Sequence, residues 1–360
     1  MAASAVLVVA IFGFALPRFA SYRSVWASIQ MLAWPQALLV AIAAAASLAS
    51  GWIVIRSALP SIGLRQAAAV NLGSTAVANT LPAGGAVAMS VSWAMLSGWG
   101  VSAADYVLYT LVSGLWNVFA RLGLPVIAVI TTMTMRRPSA ALLAGAVAGL
   151  ALLVIVAVGF GLILRRERLA CRADAVLHKA ICIARRLARK PPSSAAGSLL
   201  GFRARAAGLI AGRGWQISGA TAVSNLSLWL VLLASLRGVG LTEAEVPWAT
   251  SLAAFALTRL LTVLPVTPGG AGITELGLVG ILAAGTDSKV AAQVTAAVLL
   301  YRAVTFLLPI PCGAVACLAW RSAPVLSRAT RARRVRRGAV ILSVPTPGAK
   351  KAHSTPPLSP

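Results

Sequence analysis

The chain has 360 residues, 59% of them apolar and only 11% charged, with a mean hydropathy of +0.87. Soluble domains carry about 25% charged residues, so a soluble globular protein is excluded. Lys and Arg number 32 against 7 Asp and Glu, and in so apolar a chain the partner for that excess is the anionic lipid headgroup rather than nucleic acid.

Read in chain order, uncharged apolar runs occupy 2–16, 34–55, 106–133, 140–164, 215–236 and 291–320, with Arg121 and Arg302 as their only charges. Most reach the ~20 residues that cross a bilayer core, and the six predict six full crossings. The first is short and lacks a basic segment before it, so a mis-set chain start is expected there rather than a signal peptide. Two further apolar regions are interrupted: 66–97 by LPAGG at 81–85, and 247–284 by LPVTPGGAG at 264–272. Most of their arms have about 14–16 residues and reach about 21–24 Å, short of the ~30 Å core. Each region therefore predicts a re-entrant helical hairpin, with a pair of tilted short spans as the alternative.

The fold class expected is an all-α polytopic membrane protein in four parts. A first membrane half covers 1–164 with the hairpin at 66–97, and a basic cytoplasmic linker follows at 165–213. A second half covers 214–320 with the hairpin at 247–284, and a basic, disordered tail closes the chain at 321–360. The linker and tail hold 12 and 9 of the basic residues. By the positive-inside rule both are cytoplasmic, and the crossing count then returns the amino terminus to the cytoplasm as well. Arg56 and Arg65 fall inside and Glu243, Glu245 and Asp287 outside, whereas Arg18, Arg23, Arg136 and Arg137 fall outside against the rule.

The two halves share landmarks in the same order. Gly63-Leu64, Leu81-Pro82, Gly84-Gly85, Gly100-Val101-Ser102, Arg121 and Pro125 are matched by Gly240-Leu241, Leu264-Pro265, Gly269-Gly270, Gly285-Thr286-Asp287, Arg302 and Pro309. With the hairpin mouths on opposite sides, the pattern predicts an inverted repeat, the construction by which many secondary transporters place a site near mid-membrane.

Ionisable groups inside a membrane cost about 2.5–3.5 kcal/mol on insertion scales and usually face a cavity or a partner. Here they are Arg121, Arg259, Glu275 and Arg302. Glu275 falls near the start of a hairpin arm, where the helix dipole favours a carboxylate, and is expected to pair with Arg259 or Arg302. Asn117 shares a helical face with Arg121, and Thr305 with Arg302, so each arginine has a polar neighbour for holding a phosphate. These six are the candidate substrate-binding residues, and a buried structural pair is the competing reading of Glu275. Pro82, Pro265 and Pro268 break the helices. Gly84, Gly85, Gly269, Gly270 and Gly272 permit close backbone approach, and helix-start N–H groups there suit an anion. Trp26, Trp34, Trp99, Trp215, Trp248 and Trp320 read as interfacial belts. His178 and His353 lie in the linker and tail, and the four cysteines form no C-x-x-C. No catalytic constellation, metal or cofactor is expected.

At LTRLLTVLPVTPGGAGITELGL (257–278), followed by LLYRAVTFLLPIPCGA (299–314), the sequence resembles the lysylphosphatidylglycerol synthase transmembrane, or flippase-like, family of bacterial membrane proteins. The resemblance rests on P-x-x-P-G-G-x-G-x-x-E, here Pro265 to Glu275, and implies movement of a lipid between leaflets in the bacterial inner membrane. About 40 residues follow Trp320, so the resemblance does not extend to the family's soluble transferase domain. Gly85-Ala86 stands where many relatives carry Gly-Glu, which leaves Glu275 as the one membrane carboxylate. The leading expectation is a non-enzymatic flippase for an anionic or zwitterionic phospholipid or lipid-linked sugar, working without ATP hydrolysis of its own. The alternatives are a small-molecule secondary transporter and a scaffold that recruits a lipid- or glycan-modifying enzyme.

Overall fold

The computed structural model describes residues 33–81, 84–133, 140–165, 199–262 and 270–322. All regular structure among them is helical. The first half contains α1 (Trp34–Ala58), α2 (Leu64–Thr80), α3 (Gly84–Gly98), α4 (Ala103–Met133) and α5 (Ala140–Arg165). The second contains α6 (Leu199–Gly238), α7 (Trp248–Leu261), α8 (Ile273–Leu282), α9 (Ser288–Arg302), a π segment (Ala303–Leu307) and α10 (Pro309–Ser322).

Five stretches are long and apolar enough to cross a membrane: Trp34–Ala58, Ala103–Met133, Leu142–Leu162, Ala204–Gly238 and Ser288–Trp320. They coincide with five of the six predicted crossings; the run at 2–16 lies outside the described residues. Their outer faces are apolar and exposed, as at Leu38, Ile42, Ile127, Ile130, Val147 and Ile155, which suits lipid and not water.

Between these lie two pairs of short helices. α2 and α3 have 17 and 15 residues, and α7 and α8 have 14 and 10. At 1.5 Å per residue none exceeds about 26 Å, less than the ~30 Å hydrocarbon core. α2 stops because Leu81, which precedes Pro82, is extended at φ −101° and ψ 141°, the conformation a following proline enforces. α3 restarts at Gly84, whose N–H donates to Leu81 O at 2.9 Å. A Cβ on Gly84 would sit 2.6 Å from Ala78 O, so the close approach requires glycine there; Gly85 faces open space and owes nothing to packing. In the second pair Gly270 and Gly272 have φ of +70° and +84°. Pro82, Pro265, Pro268 and Gly269 lie outside the described residues.

The repeated landmarks Gly100-Val101-Ser102 and Gly285-Thr286-Asp287 share a local form. Gly100 and Gly285 have φ of +88° and +73°. Ser102 Oγ accepts from Asp105 N at 3.1 Å and Asp287 Oδ1 from Val290 N at 2.8 Å, so each run ends one helix and caps the next.

The core belongs mostly to the second half. Leu232 and Leu236 of α6, Phe255 of α7, Leu278 of α8 and Val294 and Val298 of α9 are almost wholly buried, joined by Leu124 and Ala128 of α4. α1 packs along α6, and α7 packs on α4 and α8.

Two elements differ from their sequence-based limits. α6 begins at Leu199, inside the expected linker, and runs 40 residues without interruption, about 60 Å or twice the hydrocarbon core. Arg203, Arg205 and Arg213 are thus part of a helix that continues into the membrane span. The rest of the linker to 198, and the tail from 323, lie outside the described residues. The last crossing contains a π turn, where Leu308 N donates to Ala303 O at 2.9 Å. Pro309 follows and has no N–H to continue the α register.

The tryptophans divide. Trp34 and Trp215 are 79% and 76% exposed, as interfacial residues are, but Trp229 is buried and donates to Ser251 Oγ at 3.1 Å. At the turn between α6 and α7, Arg237 pairs with Glu243. There the Thr242 backbone N–H and hydroxyl, donated to Glu245, hold its carboxyl below the ordinary range.

Candidate functional site

A cavity of about 620 Å³ lies among α1, α2, α4, α6, α7 and the α9–π junction, within the roughly 300–1,000 Å³ typical of small-molecule sites. Its polarity comes from helical periodicity. Along α2, Asn71, Ser74, Thr75 and Asn79 line it; along α4, Tyr109, Ser113, Asn117 and Arg121; along α6, Thr221, Ser224 and Asn225. Steps of three and four residues place each group on one face of an otherwise apolar helix.

Three guanidiniums reach this cavity, from Arg121, Arg259 and Arg302. Arg121 Nη1 donates to Thr262 O at 2.9 Å, a carbonyl exposed where α7 ends, so an arginine of the first half anchors the helix break of the second. Arg259 Nη2 donates to Asn225 Oδ1 at 3.1 Å, and Asn225 Nδ2 is held by Thr221 O at 2.9 Å. The guanidinium of Arg302 stacks on Phe306 with 4.5 Å to the ring centroid, and its Nε donates to Glu275 Oε1 at 2.7 Å.

Glu275 does not line the cavity. It is 2% exposed, and its second oxygen accepts from Gly272 N at 2.7 Å. The carboxylate thus closes the first turn of α8 and neutralises Arg302 from behind. Of the two partners open to it on sequence grounds, Arg302 is the one it meets. Gly63 N–H is capped in the same way by Gln66 Oε1 at 2.9 Å, at the start of α2 and without charge.

Of the six candidate residues, Asn117, Arg121, Arg259, Arg302 and Thr305 line the cavity together; the Thr305 hydroxyl donates to Tyr301 O at 2.7 Å. The residues that sequence reading missed are the polar ones at Asn71, Asn79, Tyr109, Ser113 and Asn225. The missing signal was the polar stripe itself, visible as Asn71, Ser74, Thr75 and Asn79 within one hairpin arm. Asn79 Nδ2 donates to Phe306 O at 2.9 Å, a carbonyl within the π turn. Each helix break is therefore tied to the other half of the chain, through Asn79–Phe306 and Arg121–Thr262.

Three buried polar atoms of lining residues have no hydrogen-bond partner: Arg121 Nε, Arg259 Nε and Thr221 Oγ1. Buried donors are normally satisfied, and arginines gathered around one cavity suit an oxyanion. A family model described as the lysylphosphatidylglycerol synthase TM region matches residues 1–313. No curated protein matches the sequence.

Proposed function

The chain belongs to that family of membrane proteins, and from this premise we propose that it moves a phospholipid or lipid-linked headgroup between the leaflets of the bacterial inner membrane, without hydrolysing ATP itself. The observation that carries the reading is the convergence of three arginines, two with unpartnered buried N–H groups, on a single cavity. A phosphate crossing a low-dielectric region needs continuous charge partners, and arginine supplies them in a forked, bidentate geometry.

The two broken helix pairs act as re-entrant hairpins of an inverted repeat, one opening to each side. Their shortness, the matched glycine-and-cap turns at Gly100 and Gly285, and the reciprocal ties at Asn79 and Arg121 support this reading. Thr262 and Phe306 then report the position of one half to the other, so that opening of one side is coupled to closure of its opposite. In this reading the chain acts as a carrier and not as a catalyst.

Translocation is measured in proteoliposomes carrying labelled phosphatidylglycerol. A charged hydrogen bond contributes about 1.5–3 kcal/mol, so Arg121→Gln and Arg259→Gln are each expected to slow translocation roughly 10- to 100-fold. Equal rates for wild type and both variants refute phosphate handling by these arginines.

Both termini and the linker lie on the cytoplasmic side, because 21 of the 32 basic residues sit in the linker and tail. Single cysteines at Ser194 and Ser343, in a chain whose own cysteines are replaced, are expected to resist impermeant maleimides in intact cells. Reaction of either from outside overturns the inverted arrangement.

A further inference from the structure

The charge balance around the cavity specifies the headgroup more narrowly than a phosphate does. The chain has seven acidic residues: Glu167 and Asp174 fall in the linker, Glu243, Glu245 and Asp287 at helix junctions, Asp105 in the first turn of α4, and Glu275 in the first turn of α8. Among the described residues no Asp or Glu lines the cavity. Three guanidiniums face it, and Glu275 meets one of them, Arg302, from behind. Among the described residues two positive charges, those of Arg121 and Arg259, have no carboxylate beside them. A lipid phosphodiester carries one negative charge, so it lowers this excess without cancelling it, and an added ammonium restores it.

The rest of the wall is neutral and can hydrogen-bond in both directions. Asn71 and Asn117 make no side-chain hydrogen bond to any other described residue, and each carboxamide offers two N–H donors and a carbonyl acceptor. A hydroxyl both accepts and donates, so a polyol or sugar satisfies such a wall. An ammonium group donates only and carries a strongly held hydration shell; it finds no carboxylate here, and it meets Arg121 and Arg259 as like charges.

Resting on the transport reading above, we infer that this cavity accepts a lipid whose headgroup is a phosphate bearing hydroxyl groups, and rejects one bearing ammonium groups, including the lysyl ester in the family's name. Lysylphosphatidylglycerol carries two ammoniums against one phosphate and would add positive charge to a cationic cavity. Phosphatidylglycerol differs only by lacking that ester, which makes the two a matched pair.

The full chain is reconstituted, and translocation of labelled phosphatidylglycerol and lysylphosphatidylglycerol is compared. In parallel, melting of the detergent-purified protein is followed with short-chain forms of both lipids and with inorganic phosphate. Like-charge contacts cost several kcal/mol, so phosphatidylglycerol is expected to move at least about tenfold faster than its lysyl ester. It alone should raise the melting temperature. Asn117→Asp, which puts a carboxylate beside Arg121, is expected to narrow the rate ratio. Equal translocation and equal melting shifts for the two lipids overturn the selectivity while leaving lipid transport standing. No translocation of either lipid, with a melting shift confined to phosphatidylglycerol, overturns transport and upholds the selectivity. A shift with inorganic phosphate as large as that with phosphatidylglycerol assigns the cavity to a soluble anion and overturns the inference.

Discussion

Replacing Glu275 with alanine is expected to destabilise the protein more than loss of any exposed charge. The carboxylate is 2% exposed and contacts both Arg302 Nε and Gly272 N at 2.7 Å. Its removal deletes the carboxylate that pairs with Arg302, and loss of one member of a buried pair costs about 3–5 kcal/mol. It also opens the first turn of α8, a capping loss of about 1 kcal/mol. Glu275→Gln keeps the shape and an acceptor for Gly272 while removing the charge. Its expression should be largely intact and its lipid translocation reduced. The double variant Glu275→Met/Arg302→Met separates pairing from packing, because exchanging a buried pair for apolar side chains is often close to neutral. It should melt well above Glu275→Ala, and without transport. If the alanine variant melts with wild type in detergent, the ion pair contributes nothing to the fold.

The second large effect is expected at Gly313, where α10 crosses α2. A Cβ built there would overlap Leu72 O and Ala76 Cβ. Backbone cannot rotate away as a side chain can, so the two helices must separate. Nearby, a Cβ on Gly73 would approach Cys317 Sγ to 2.9 Å, so the seam is tight from both sides. Overpacking typically costs about 1–3 kcal/mol; Gly313→Ala should fall in that range, and Gly313→Leu should leave no monodisperse protein in fluorescence-detected size exclusion. Gly159→Leu is the control, since nothing lies within 4 Å of a Cβ there. Equal profiles for Gly313→Leu and the control would show that α2 and α10 do not meet as described.

The elements legible in the sequence were those set by local chemistry. Spans are long apolar runs, and the break after Leu81 follows from Pro82 acting on its neighbour. Glu275 was recognisable as a carboxylate near a helix start because it follows the Gly269-Gly270 break by five residues. What sequence reading lacked was set by distant contacts or by the absence of a local stop. Nothing between Leu199 and Trp215 ends a helix, and the basic residues that suggested a linker are tolerated on one. The choice of Arg302 over Arg259 as partner depends on how α8 packs on α9, which spacing does not reveal. Asn225, the residue that holds Arg259, is 34 positions away from it, and only the polar stripe on α6 hints at its role.

The π turn at Ala303–Leu307 sets the phase of the whole carboxy-terminal rod. One residue beyond the α register rotates everything after it by roughly 100° relative to an unbroken helix. Arg302 precedes that offset and Gly313 follows it, so the direction of the cationic face and the direction of the tight seam are two independent settings on one continuous helix. Removing a single residue from the turn would restore α register and force a choice between them: with Arg302 on Glu275 the seam would be turned away from α2, and with Gly313 seated on Leu72 the guanidinium would be turned out of the cavity. Side-chain replacement can vary either contact, but chain length at this one turn governs both.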